Sequence, residues 1–339
     1  MMEIHGRTMG RRELARRVGD TVQVAGVERF VYDDGVQDGV RAARVRSGGG
    51  LDFTVLLSRG MDIGAASLNG KPFAWVSGTG WAHPHAFVPE WRGWLQTFHG
   101  GLLTGCGLSN AGAANDDGDE TLGIHGRLSH LPAQDVATRT EWNGDAATVV
   151  VEGTLREATV FGENLRLRRT IRVPVGGTSM EIVDTVVNEG FKTSPLMLLY
   201  HLNFGWPMVE EGTRIRLPDG TVTTPRDADA EAGLAGATVL DAPIEGYAEQ
   251  CFFHDVPRGD VEVDMVSPAG FGVTVRYHTD DFPWLTQWKM MGEGEYVVGI
   301  EPANCRVLGR RAERDAGRLQ TIAPGETRSF RVELILRDR

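Results

Sequence analysis

Apolar and polar residues alternate along most of the chain, in short runs separated by turn residues. Clear examples are SMEIVDTVVNEG (179–190), FGVTVRYHT (271–279) and SFRVELILRD (329–338). Alternation with period 2 is typical of strands that bury one face, and the Gly, Asn and Asp residues between the runs indicate turns. The pattern therefore predicts an all-β fold over residues 21–339, built as one large antiparallel sandwich or barrel.

The N-terminal stretch has a different pattern. Met9, Leu14 and Val18 form a thin apolar stripe among arginines. This spacing predicts a short amphipathic helix over residues 7–19. We therefore expect residues 1–20 to be a helical segment that docks onto a single domain formed by residues 21–339. Elsewhere only a weak helical pattern is present, near residues 220–240.

The most apolar strand-like run, PLMLLYHLNFGWP (195–207), also contains polar groups. Its unbroken apolar start predicts a strand buried on both faces. Period-2 geometry then puts His201 and Asn203 on one face, and Leu202 and Phe204 on the other. A buried polar group without a partner costs roughly 2–7 kcal/mol, so these two need a hydrogen-bond network or a chemical role. A histidine held in the core by hydrogen bonds is the alternative for this motif on its own.

Three other polar residues stand out next to glycine or proline. His99 precedes Gly100 and Gly101, and His125 precedes Gly126. Glycine beside histidine lets backbone or ligand approach closely. Glu301 follows an apolar strand and precedes Pro302, which predicts a carboxylate at a strand exit, on the rim of a cleft. An ordinary solvated strand end is the alternative for Glu301.

Charge and cysteine content narrow the partners and the compartment. The chain has 35 basic and 46 acidic side chains and a net charge of −11, which argues against nucleic acid or an anionic membrane surface as the main partner. The three cysteines show no C-x-x-C spacing, so neither a zinc site nor a disulfide framework is indicated. A reducing cytoplasm is the expected location. No apolar run is long enough to predict a membrane span.

Taken in order, these motifs resemble those of the aldose 1-epimerase (galactose mutarotase) superfamily. The ordered set is His125-Gly126, then the strand through His201, then Glu301-Pro302, with SRGMDIG (58–64) similar to an early strand of that family. The resemblance covers about residue 21 to the C-terminus. It implies a β-supersandwich with an open cleft and a cofactor-independent enzyme that interconverts sugar anomers. The His/Trp-rich insert at residues 80–119 has no counterpart in the common members, which indicates a divergent branch.

The resemblance also implies roles for individual residues. Glu301 matches the general base, His201 the general acid, and His125 a second histidine that binds near the ring oxygen. Arg59 matches a substrate-binding arginine. A carboxylate and an imidazole suit the two proton transfers near neutral pH, and this chemistry requires no metal or organic cofactor.

We expect further substrate-binding side chains in the same cleft. They are His99, Arg127, Asn203, Trp206, Gln287 and Lys289. Trp206 and Trp288 are the aromatic residues most suited to face sugar C–H groups. Extended geometry puts Gln287 and Lys289 on the face of their strand opposite Trp288. Because Arg59, Arg127 and Lys289 could receive an anion, the expected ligand is a small carbohydrate, with acidic or phosphorylated sugars among the candidates.

Several alternatives stay open from the sequence. The same fold could support a keto-sugar isomerase or epimerase that abstracts a proton next to a carbonyl, or a non-catalytic carbohydrate-binding domain. His83 and His85, together with His99, allow a metal site, although no carboxylate ligand is evident and the expectation is that there is none. The oligomeric state is left as monomer or homodimer.

Overall fold

The structure is a computed structural model that describes residues 1–338 and is built mainly from antiparallel strands. In chain order the strands are β1 (Met2–Ile4), β2 (Arg7–Met9), β3 (Gly26–Val31), β4 (Arg41–Arg46), β5 (Leu51–Leu56), β6 (Asp62–Leu68), β7 (Lys71–Pro72), β8 (Leu103–Leu108), β9 (Asn115–Asp117), β10 (Glu120–Leu122), β11 (Gln134–Asn143), β12 (Ala146–Ala158), β13 (Asn164–Pro174), β14 (Ser179–Asn188), β15 (Ser194–Pro195), β16 (Met197–Gly205), β17 (Arg214–Arg216), β18 (Val222–Pro225), β19 (Gln250–Asp255), β20 (Asp260–Val266), β21 (Gly272–His278), β22 (Trp284–Met291), β23 (Tyr296–Ala303), β24 (Thr321–Ile322) and β25 (Thr327–Arg337). The α-helices are α1 (Arg11–Ala15), α2 (Ala228–Gly233) and α3 (Arg310–Asp315). The all-β prediction is confirmed.

Two large sheets make up the body of the protein. One has the order β11-β12-β13-β14-β25-β21-β20-β17, and the other has the order β18-β19-β22-β23-β16-β8-β6-β5-β4-β3, with β7 paired to β6. We call the sheet that begins with β11 the eight-stranded sheet and the sheet that begins with β18 the large sheet. Alternate residues of both sheets contribute to one shared hydrophobic core, for example Phe53 and Leu202 from the large sheet and Leu167 and Val332 from the eight-stranded sheet. The two sheets therefore pack as a sandwich.

Strand β16 lies in the middle of the large sheet, between β23 and β8, and is buried along its whole length. Its even-numbered residues, such as Tyr200 and Leu202, belong to the core between the sheets. Met197 and Leu199 point the other way, into a second apolar cluster that contains Trp94 and Phe98 of the 80–119 insert. The predicted strand with two buried faces is confirmed, and the insert covers its outer face.

The N-terminal prediction is partly wrong. The helix extends only over Arg11–Ala15, and residues before it form the β1–β2 hairpin. Met2, Ile4, Met9 and Leu14 belong to the main core, so this segment packs directly onto the body. The weak helical pattern near residues 220–240 corresponds to α2. None of the helices in residues 1–338 combines the length and apolarity needed to cross a membrane.

Candidate active site

A cavity of about 310 Å³ opens on the outer face of the large sheet, next to β16 and β23. This volume is at the lower end of the roughly 300–1,000 Å³ range of small-molecule pockets. The lining residues come from the sheet, from the 80–119 insert and from three other connecting segments. They are Arg92, Trp94, Leu95, Phe98, Gly112, Ala113, Ile124, His125, His201, Arg226, Glu249, Cys251, Trp288, Glu301 and Val307. His125, His201 and Glu301, far apart in the sequence, thus share one cavity.

His201 and Glu301 sit opposite each other on neighbouring antiparallel strands. The register of β16 with β23 pairs Leu199 with Ala303 and Leu202 with Ile300, so His201 faces Glu301 across the pair. Side chains at such positions point to the same side of the sheet. The His201 Nε2 and Glu301 Oε1 atoms are 3.2 Å apart, and both side chains are almost fully buried. The prediction of Glu301 at a strand exit on the rim of a cleft is wrong in position, because β23 continues through Ala303 and keeps Glu301 inside the sheet, where it still lines the cavity.

A glycine beneath the pair makes room for the carboxylate. Gly299 lies one alternation before Glu301 and pairs with Asn203 on one side and Trp288 on the other. A Cβ atom at position 299 would lie 2.6 Å from Glu301 Oε1 and 3.4 Å from His201 Cε1. Real Cβ contacts essentially never come as close as 2.6 Å. Any larger residue at 299 would therefore displace the carboxylate.

His125 reaches the cavity from a tight turn that is fastened to the edge of β8. Its backbone has a positive φ of 57°, and it is followed by Gly126 with a φ of 72°. The Gly107 N–H donates to the His125 carbonyl, and a Cβ at Gly126 would lie 2.2 Å from the Asn110 carbonyl oxygen. The glycine after His125 is thus required by close backbone contact, and this contact aims the imidazole at the cavity.

The two imidazoles approach edge to face. Their ring centroids are 5.6 Å apart with an interplanar angle of 78°. The Gly112 N–H donates a long hydrogen bond of 3.4 Å to His125 Nδ1. A nitrogen that accepts carries no proton, so a neutral His125 holds its proton on Nε2. His125 can then act as a hydrogen-bond donor to a ligand.

Burial shifts the protonation of all three groups toward their neutral forms. Desolvation, reinforced by the charge of Glu249 and opposed by Arg226, raises the pKa of Glu301 to about 8. Desolvation and the neighbouring His125 lower the pKa of His201 to about 3, while the nearby Asn203 side chain acts in the opposite direction. Desolvation lowers the pKa of His125 to about 4. Near neutral pH the His201–Glu301 pair therefore holds a single titrating proton between its two sites.

Aromatic rings form the walls around this polar floor. The Trp94 ring stacks on Phe98 at 4.4 Å and lies 4.7 Å from the His125 ring. Trp288 lies 5.4 Å from His201 and 6.2 Å from Phe98. Apolar walls with a few convergent polar groups are typical of small-molecule sites, and ring faces suit the C–H groups of sugars.

The mouth of the cavity carries an ion pair. The Arg226 Nη2 group donates to Glu249 Oε1 at 3.1 Å, and Trp288 Nε1 donates to Glu249 Oε2 at 3.1 Å. Arg226 also donates to Asp227 and to the Cys251 sulfur. Arg92 lines the cavity from the insert.

Two predicted substrate contacts, Arg59 and His99, lie behind the cavity. Arg59 has no solvent exposure, and its guanidinium is occupied by the carbonyls of residues 82, 97 and 129 and by Ser129 Oγ and His130. Burial lowers the pKa of Arg59 to about 10, although Asp62 partly offsets the effect. His99 is also fully buried and pairs with Asp62 at 3.1 Å. Both side chains are buried and make internal hydrogen bonds, and neither has exposed surface that a ligand could contact. The prediction that Arg59 and His99 bind the substrate is therefore wrong.

Gln287, Lys289 and Trp206 are also placed away from the cavity. The predicted alternation along β22 is present, but only Trp288 faces the cavity. Gln287 bonds to His254 and to the Ala237 carbonyl, and Lys289 bonds to residues 236, 239 and 241. Trp206 lies beyond the end of β16 and is 67% exposed. Gln287 and Lys289, on the opposite face of β22, therefore bind the loop at residues 236–241 and do not reach the cavity.

Arg127 and Asn203 lie near the catalytic candidates without lining the cavity. The turn after His125 sends Arg127 outward, where it pairs with Glu163. Asn203 shares the face of His201, as predicted, but its amide donates to the carbonyls of Gly101 and His201. Asn203 therefore fastens the strand beside His201.

The histidines considered as metal ligands do not converge. His83 and His85 pack against each other with ring centroids 4.4 Å apart, whereas His99 is buried against Asp62. Within residues 1–338, no group of three or more His, Cys, Asp or Glu side chains has an arrangement that could hold a metal ion.

Several lining residues were not singled out from the sequence. Arg226 directly follows β18, and Glu249 directly precedes β19. Phe98 and Ile124 each precede a histidine of the predicted site. A charged residue at the edge of a strand gives only a weak signal, and nothing local indicates that β18 and β19 border the site.

Comparison with solved structures places this fold among the mutarotase-like proteins. A Klebsiella pneumoniae protein, described as a candidate aldose 1-epimerase, superimposes with a TM-score of 0.88 at 24% identity, covering 92% of this chain and 83% of that chain. A galactose mutarotase-like protein from Clostridium acetobutylicum gives a TM-score of 0.64 at 14% identity, covering 94% and 100%. A galactose 1-epimerase from Lactobacillus acidophilus gives 0.58 at 14% identity, covering 92% and 98%.

The recognised resemblance is thus confirmed for the fold. A search of curated proteins found no match to this chain. One family model, described as a domain of unknown function, matches residues 37–336. The chain therefore belongs to the DUF4432 family and has the galactose mutarotase-like fold.

Proposed function

We propose that this protein is an aldose 1-epimerase that interconverts sugar anomers by acid–base ring opening and closing. The observation that carries the proposal is the 3.2 Å contact between His201 and Glu301, made beside His125 in one cavity with aromatic walls. Anomer exchange needs one group that takes a proton from the anomeric hydroxyl and another that gives a proton to the ring oxygen. A carboxylate and an imidazole in contact suit both tasks.

The single proton of the pair allows a balanced cycle. When it moves from Glu301 to His201, the pair becomes a carboxylate and an imidazolium. The carboxylate then accepts the proton of the anomeric hydroxyl while the imidazolium protonates the ring oxygen, and the bond between the anomeric carbon and that oxygen breaks. The open sugar turns about the bond next to the aldehyde. Ring closure on the other face runs the two transfers in reverse and regenerates the carboxylate and the imidazolium, and return of the proton from His201 to Glu301 restores the initial pair.

His125 completes the arrangement as a neutral donor. Its Nδ1 accepts the Gly112 N–H, which leaves the Nε2 proton for the sugar. A donor that stays neutral can hold the ring oxygen or a hydroxyl without competing for the transferred proton. Its low pKa, which results from burial, keeps it neutral over most of the pH range.

The test is saturation-transfer or exchange NMR across a panel of aldoses, with and without protein. We expect the protein to accelerate anomer exchange of at least one sugar, and Glu301→Gln to reduce the effect by about 10²–10⁴-fold, the usual contribution of a positioned acid or base. His201→Gln should cause a similar loss. Full activity of either variant on the true substrate would refute the assignment.

The same experiment separates the other enzymatic and non-enzymatic functions. Run in deuterated water, anomer exchange leaves the C–H positions of the sugar unlabelled. Incorporation of deuterium at a carbon would instead indicate a keto-sugar isomerase or epimerase. Saturable sugar binding without any accelerated exchange would indicate a carbohydrate-binding domain.

A further inference from the structure

The indole of Trp288 connects the reacting groups with the ion pair at the mouth. On one side its ring lies 5.4 Å from the His201 ring, and on the other its Nε1 donates to Glu249 at 3.1 Å. The distance from the reacting groups to the ion pair is therefore about the width of one indole, which is comparable with one sugar ring. A sugar lying against Trp288 with its anomeric end at Glu301 would bring its far side to Glu249 and Arg226.

Both members of the ion pair have hydrogen-bonding capacity left. A guanidinium has five N–H donors, and Arg226 uses three of them, on Asp227, Cys251 and Glu249. Each carboxylate oxygen of Glu249 accepts one hydrogen bond in the described residues, from Arg226 or from Trp288. Two donors of Arg226 and one lone pair on each Glu249 oxygen remain. The Glu249 side chain is also 53% exposed, so a ligand can reach it.

A donor and an acceptor held side by side match two adjacent hydroxyl groups. One hydroxyl can donate to the carboxylate while its neighbour accepts from the guanidinium. The pair is a poor site for an anion, because the Arg226 charge is already matched by Asp227 and Glu249. The expectation of an acidic or phosphorylated sugar rested on Arg59, Arg127 and Lys289, which do not line this cavity.

We propose that Arg226 and Glu249 determine substrate specificity by binding two adjacent hydroxyls on the side of the sugar away from the reacting carbon, with Trp288 as the surface between. This inference rests on the proposed function for the identity of the reacting end. The residues that supply recognition are then different from the residues that transfer protons. Their substitution should change which sugars are accepted, and not only the rate.

The test compares each accepted aldose with its monodeoxy analogues, in the wild type and in variants. In the wild type, removing either of two neighbouring hydroxyls should lower kcat/KM roughly ten- to a hundredfold, as expected for hydrogen bonds to charged groups. In Glu249→Gln and Arg226→Lys, the discrimination at one or both of these positions should fall to about threefold or less. Glu245→Gln is the matched control, because Glu245 is exposed in the same loop and does not line the cavity.

Unchanged discrimination in both variants would overturn the proposal, as would loss of discrimination in the Glu245 control. If the wild type accelerates no aldose, the proposed function fails, and the same pairs are compared by calorimetric Kd. The specificity proposal then stands if the deoxy sugars bind more weakly to the wild type but not to the variants. It falls if no sugar binds, or if parent and deoxy sugars bind equally.

Discussion

Replacing Glu301 with glutamine should make the protein progressively more stable than the wild type as the pH rises. The carboxyl lies inside β23 with 2% exposure, and desolvation, with a contribution from Glu249, raises its pKa from 4.5 to about 8. In the unfolded chain the same group ionises near its ordinary value. At alkaline pH, folding therefore requires Glu301 either to take up a proton or to be buried as a charged group, and both cost free energy.

The number of protons that Glu301 binds in the folded and unfolded states determines how the free energy of unfolding changes with pH. Below pH 4.5 the group is protonated in both states and does not affect stability. Between pH 4.5 and 8 only the unfolded state loses the proton, so the free energy of unfolding falls by about 1.4 kcal/mol per pH unit. Over this interval the total is about 5 kcal/mol, which is an upper limit because nearby groups relax. Glutamine does not titrate, so the variant avoids this loss.

His201 has the opposite dependence, since its lowered pKa makes its contribution increase from pH 3 to 6.5. This contribution is present in both proteins and largely cancels in their difference. Urea unfolding at pH 5 to 9 measures that difference, with Glu245→Gln as the control, because it makes the same chemical change at an exposed carboxylate outside the cavity. A flat or falling difference for Glu301→Gln would refute the claim that burial governs this carboxyl.

Three other outcomes follow from the same geometry. The pH profile of kcat/KM should fall above about pH 8 as Glu301 loses the shared proton, and below about pH 3 as His201 binds a second one; a limb near pH 6 would contradict the pairing. Gly299→Ala should lower kcat/KM by about 10²-fold with a normal circular dichroism spectrum, because the added Cβ displaces the Glu301 carboxylate. Gly78→Ala is the control and should match the wild type, because the space around Gly78 is open. Arg59→Met should lower the free energy of unfolding by about 3–5 kcal/mol, because its buried hydrogen-bond partners are left unpaired. The KM should not change. Normal stability with a raised KM would instead show that Arg59 contacts the substrate.

Strand alternation made the position of His201 predictable, because the pattern around it gave both its strand and its face. Glu301 was harder to place, because its position opposite His201 depends on the register between β16 and β23, which strand alternation does not give. What alternation cannot give is which face of a strand meets the ligand. On β22 the alternation of Gln287, Trp288 and Lys289 was correct, yet the cavity lies on the Trp288 side.

The arginines were harder to place, for a physical reason. A guanidinium looks the same in the sequence whether it faces a ligand or a set of backbone carbonyls, and the choice depends on contacts made far along the chain. Arg59 is occupied by residues 82, 97 and 129, while Arg226 retains free donors at the cavity mouth. The position of Arg226 depends on how β18 and β19 pair with the rest of the large sheet, and no local sequence pattern predicts that pairing.

The division between sheet and connecting segments has a consequence for specificity. Glu301 and His201 are held by backbone hydrogen bonds of central strands, so their separation is set by the register and is hard to alter by local changes. The walls and mouth come mainly from the insert and from the segments before α2 and β19, which connect the strands of the sheet. On the proposed function, proton transfer and sugar recognition are therefore carried by structurally separate parts. It follows that exchanging the insert or the residues around Arg226 should alter which sugar fits, while the alkaline limb of the pH profile should move only when a charge near Glu301, such as Glu249, is changed.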